Sequence, residues 1–115
     1  MKFRLGLIAC VGIWGLGSVA ASQCSAKLCA NANVKLLYFK SNGDILIELD
    51  ADTSPLNCTR VSDIYVTLTY ENGNKEEIFA TLLAAQSASK PIARVRIIEN
   101  SSECEISYVY QTEHQ

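Results

Sequence analysis

Two arginines set two residues apart, Arg94 and Arg96, carry the most usable chemistry in this chain. They alternate with Ala93, Val95 and Ile97, so an extended segment presents both guanidiniums on one face and keeps the other apolar. Planar guanidinium groups take carboxylates in a bidentate fork. With tyrosines beside them, Tyr65, Tyr108 or Tyr110, they suit a carboxylated sugar or an acidic patch on a partner. The competing reading is a solvated strand face balanced across the sheet by Glu48 or Glu105.

Catalysis asks for a nucleophile and a base, or a poised acid and base, within hydrogen-bond reach. The sole histidine, His114, stands at the C-terminal end and reads as a solvated tail residue. Asp44, Glu48, Asp50 and Asp52 form an acidic stripe, but alternation along a strand spreads them over a wet face. They lack the Gly-centred loop and closing Glu of an EF-hand, which leaves a weak cation site as the alternative. Asn57-Cys58-Thr59 and Asn100-Ser101-Ser102 match the glycosylation sequon, which matters only in a eukaryotic secretory pathway. No catalytic residue, metal site or cofactor motif is expected, and the chain reads as a non-enzyme.

The N-terminus reads as a signal peptide over residues 1–21: Lys2 and Arg4, an apolar run, then Gly17-Ser18-Val19-Ala20-Ala21 with its small residues. The run is too short to span a bilayer, which takes roughly 20 apolar residues. Lipid attachment at Cys10 or Cys24 is the competing reading, disfavoured by the few apolar residues ahead of Cys10 and by Gln23 ahead of Cys24. Cleavage leaves 94 of the 115 residues and 8 basic against 12 acidic groups. An acidic domain without a basic run argues against nucleic acid and anionic membrane as partners.

The mature chain keeps Cys24, Cys29, Cys58 and Cys104. An even number in a small exported domain reads as disulfides, and the spacing is wrong for zinc. Cys24 and Cys29 are near enough to close a small loop, which leaves Cys58 with Cys104.

Residues 22–33 read as an N-terminal arm, and 34–40 as a strand ended by the Asn42-Gly43 turn signal. Residues 44–50 alternate as a half-buried strand, and 61–70 form a third, with Ile64, Val66, Leu68 and Tyr70 on one face. A helix starts at Asn74, whose side chain is placed to cap it with Glu77 completing a capping box, and it ends before Pro91. Two strands follow, 92–98 and 104–110, and 111–115 should fray. The order β-β-β-α-β-β suits a five-stranded OB-like barrel plugged by the helix over 34–110. A flat antiparallel sheet with the helix on one face is its rival.

The run FATLLAAQSASKPIARVRI, with NCTRVSDIYVTL upstream and SSECEISYVY downstream, resembles a family of small exported proteins of Gram-negative bacteria. It is similar also to the receptor-binding B subunits of subtilase-cytotoxin and pertussis-like toxins. The resemblance spans residues 58–110. It implies an OB barrel, the Cys58–Cys104 bond, and a secreted binding module that recognises a glycan or a surface protein and assembles as a homo-oligomer, a pentamer in the toxins. The sugar-binding segment of those subunits does not align here, so no binding residue is carried over. The alternative is a monomeric periplasmic or envelope protein that binds or inhibits another exported protein.

Overall fold

The computed structural model describes residues 21–112. The signal-peptide expectation, apart from Ala21, and His114 lie outside them. The elements are β1 (Gln23–Cys24), β2 (Leu28–Phe39), β3 (Ile45–Asp50), β4 (Tyr65–Leu68), α1 (Lys75–Ala88), β5 (Ile92–Ile97) and β6 (Ile106–Tyr110). The protein is mainly β with one helix. Its sheet is antiparallel, ordered β4-β3-β2-β5-β6, with β1 paired to β2.

β2 is the strand on which both halves depend. Its first part pairs with β5, from Leu28 opposite Arg96 to Ala32 opposite Ile92, and its second part pairs with β3, from Asn33 to Phe39. Asn31, at φ 54, and an irregularity between Val34 and Leu36 redirect the chain between these ladders. The residues expected to form an arm are therefore largely strand. The first disulfide does pin them: Cys24 and Cys29 face each other across the β1–β2 hairpin, with Cα atoms 3.9 Å apart.

The sheet is not closed. β4 and β6 are its two ends, and they meet through a parallel bridge between Thr67 and Glu105, where the Thr67 N–H donates to the Cys104 carbonyl at 3.0 Å. The Cys58–Cys104 disulfide, with Cα atoms 4.8 Å apart, ties the loop before β4 to the approach to β6 at the same place.

α1 lies against β2 and β6 and buries Ile78, Leu82 and Ala85. With Ile47, Val66, Leu68, Ile92, Val95, Ile97 and Ile106 these form the apolar core. Phe79 is half-buried and meets Phe39 edge-on at 5.7 Å. The expected capping box is not formed, since Asn74 makes no side-chain cap bond. Asn72 organises the entry instead: its Oδ1 accepts the Asn74 N–H at 2.8 Å and its Nδ2 donates to the Ile106 carbonyl at 3.1 Å. α1 stops one residue earlier than Pro91 requires, because Ser89 turns left-handed and the Lys90 N–H donates to the Ala85 carbonyl at 2.9 Å.

Candidate anion-binding face

Arg94 and Arg96 sit on β5, the strand between β2 and β6. Val95 and Ile97 are buried, while both arginines are half-exposed on the outward face. On the β6 side, Arg94 lies opposite Tyr110 and Arg96 opposite Tyr108. On the β2 side, Arg94 lies opposite Ala30 and Arg96 opposite Leu28. Two rows result, Ala30-Arg94-Tyr110 and Leu28-Arg96-Tyr108, each with its cation between an apolar residue and a tyrosine.

An irregularity in β6 makes this possible. Ile97 pairs with Ile106 but Arg96 pairs with Tyr108, so Ser107 is the extra residue. The bulge reverses which face the following side chains take. Ile106 is buried, whereas Tyr108 and Tyr110 are 44% and 46% exposed and point outward. Strict alternation places Cys104, Ile106, Tyr108 and Tyr110 on one face, and the structure corrects this after Ile106. The two tyrosine rings lie nearly parallel, 14° apart with centroids 6.5 Å apart.

The expected balancing carboxylates are elsewhere. Among the described residues the ion pair within 4.0 Å is Lys35 with Glu48 at 3.7 Å. The Arg94 Nη1 donates to the neighbouring Ala93 carbonyl at 2.8 Å, and among the described residues no carboxylate lies within 4.0 Å of either guanidinium. Both arginines thus stand in register with the two tyrosines, and among the described residues neither has a carboxylate counter-ion.

Of the residues singled out from sequence, Arg94, Arg96, Tyr108 and Tyr110 come together and Tyr65 does not. Tyr65 stands on β4, opposite Glu48, and meets Tyr38 edge-on at 6.3 Å. The acidic stripe also disperses. Asp44 is buried, 6% exposed, and accepts the Tyr70 N–H at 2.9 Å, fastening the β2–β3 turn to the end of β4. Glu48 pairs with Lys35, and Asp52 accepts the Ser54 N–H at 3.0 Å. Hydrogen bonds from Ser54, side chain first and backbone second, and the charge of Arg60 hold the Asp52 carboxyl below its ordinary value. Among the described residues no three His, Cys, Asp or Glu side chains converge as metal ligands.

Sequence reasoning missed the ground beside β6. Two adjoining grooves of about 520 and 250 Å³ run between this strand and α1. Thr81, Ala84 and Ala88 wall one side and Tyr108, Tyr110 and Gln111 the other, with Lys90 at one end. The signal was present in Ala80, Ala84 and Ala88, which recur every fourth residue and so leave one helix face without bulk. Gln111 is no frayed tail residue: its Oε1 accepts the Ala93 N–H at 2.7 Å and its Nε2 donates to the Pro91 carbonyl at 3.1 Å. No protein-family model, curated protein or solved structure matches the chain.

Proposed function

We propose that this protein is an exported, non-enzymatic binding module that recognises an anionic group, a carboxylated sugar or an acidic protein surface, on the outward face of β5 and β6. One observation carries the reading: Arg94 and Arg96 lie between apolar residues and the paired Tyr108 and Tyr110, with no carboxylate partner among the described residues. A guanidinium beside an aromatic face offers a carboxylate a charge-assisted fork, and the rings offer the rest of a ligand an apolar platform. The paired cysteines suit an oxidising, exported setting, and no helix among the described residues is long and apolar enough to cross a membrane.

The receptor-binding B subunits of toxins remain the guiding resemblance. The OB-barrel reading draws support from β2 being shared by both ladders, from α1 lying between β4 and β5 in the chain, and from the Thr67–Glu105 bridge at the seam. In this reading subunits assemble as a ring of five, which native mass spectrometry without reductant counts directly.

The site is tested by titrating the exported protein with two polyanions, colominic acid and polyglutamate, against neutral dextran. At least one polyanion is expected to bind, with affinity falling as salt rises. The double variant Arg94→Ser/Arg96→Ser should lose at least tenfold while its circular dichroism stays unchanged, since both side chains lie outside the core. Full affinity in the variant would move the site elsewhere, and indifference to both polyanions would sink the reading.

A further inference from the structure

The sheet ends at β6, and a strand at the end of a sheet offers a row of unpaired N–H and C=O groups. Glu105 is engaged by the Thr67 bridge and the Ile106 carbonyl by Asn72. Beyond Ile106 the outer edge of β6 has no further strand beside it among the described residues. The space along that edge is the groove against α1, and the helix side chains facing it, Thr81, Ala84 and Ala88, are too short to fill it.

Charge says what fits there. Arg94 and Arg96 have Ala30 and Leu28 on one side and Tyr110 and Tyr108 on the other, so neither neighbouring strand supplies an anion. A strand added outside β6 would stand two strand spacings from β5, about 9.6 Å. An arginine extended across the β6 tyrosine beside it would reach a Glu or Asp at that distance. The two arginines are two residues apart, about 6.7 Å along the strand, and alternate side chains of an added strand repeat at the same interval. Lys90, at the end of the groove, extends the basic run.

We propose that the open edge of β6 takes an extended segment of a partner protein as an added strand, in the groove against α1, with acidic residues at alternate positions over Tyr108 and Tyr110. The backbone bonds would supply affinity and the acidic alternation would supply selectivity. The proposal rests on the anion-binding reading of the β5–β6 face and adds to it the chemistry and the shape of the occupant.

Fluorescence anisotropy with two labelled heptapeptides of one composition tests it: Thr-Glu-Val-Glu-Val-Glu-Thr, and Thr-Val-Glu-Glu-Glu-Val-Thr. The alternating peptide is expected to bind at least tenfold more tightly. Ala84→Trp, a change on an exposed position of α1 that fills the groove, should weaken it at least tenfold with unchanged circular dichroism, as should Arg94→Ser/Arg96→Ser. Methylating alternate backbone nitrogens of the peptide should abolish binding in one of the two possible phases. Equal binding of both peptides, or an Ala84→Trp variant of full affinity, would overturn the added strand while leaving anion recognition in place. Binding of colominic acid with neither peptide retained would overturn it in favour of a glycan. Loss of every anionic probe would remove both readings together.

Discussion

Asp52 shows how a single exposed residue contributes through its charge state. Its carboxyl is held below the ordinary value of 3.8, first by the Ser54 side chain, then by the Ser54 N–H and the Arg60 charge. A group whose folded pKa is depressed contributes stability above its unfolded value and loses it as pH falls through the folded one. Asp52→Asn should therefore have a lower urea midpoint than the parent at pH 6, and the difference should close below about pH 4 as the aspartate protonates. A difference that persists unchanged into acid would mean that the side chain's shape, rather than its charge, holds the turn. Asp44 is the opposite kind of carboxylate, buried and bonded to the Tyr70 N–H, so its place is structural even though its sequence position reads as part of a wet face.

The helix ends in a way that is open to improvement. Ser89 closes α1 with φ 56, a left-handed conformation that costs a residue with a Cβ about 1 to 2 kcal/mol. Ser89→Gly should raise stability by about 0.5 to 1 kcal/mol once glycine's extra unfolded-state entropy is set against the relieved strain. Urea unfolding reads this directly, and a loss of stability would show that the serine side chain makes a contribution of its own. Such local geometry marks where sequence was legible and where it was not. The helix, its apolar face and the inward Val95 and Ile97 follow from periodicity, the Cys24–Cys29 bond follows from spacing, and Cys58–Cys104 is the pair that remains. β2 begins earlier than expected because residues 28–33 carry no apolar alternation, and their strand character comes from pairing with β1 and β5. β4 begins later, because Ser62 and Asp63 take φ 55 and 61 and turn the chain where alternation predicts strand. The outward turn of Tyr108 and Tyr110 depends on the Ser107 bulge, and no side-chain pattern announces an extra residue in a strand. For the same reason the pairing of Arg94 and Arg96 with particular tyrosines was hidden, since strand neighbours are a property of the sheet and not of the segment.

Across the whole molecule the two disulfides are unequal. Cys24 and Cys29 are 5 residues apart and Cys58 and Cys104 are 46 apart. On the chain-entropy model the longer loop should stabilise by about 4 kcal/mol and the shorter by about 2 kcal/mol. Cys58→Ser/Cys104→Ser is accordingly expected to cost about twice as much in urea as Cys24→Ser/Cys29→Ser, and equal costs would show that the bonds act through local packing instead. The longer bond holds the loop before β4 to the approach to β6, at the seam where the sheet ends meet. β2 does for the hydrogen bonds what that bond does for the chain. Its 12 residues divide between the two ladders, 28–32 with β5 and 33–39 with β3, so one continuous segment anchors both. The amides of β3 and β5 are accordingly expected to exchange with solvent together, which residue-resolved hydrogen exchange reads directly. The outer edge of β6 beyond Ile106, bordered by no further strand among the described residues, is the place where a pairing could be exchanged while the fold stays intact.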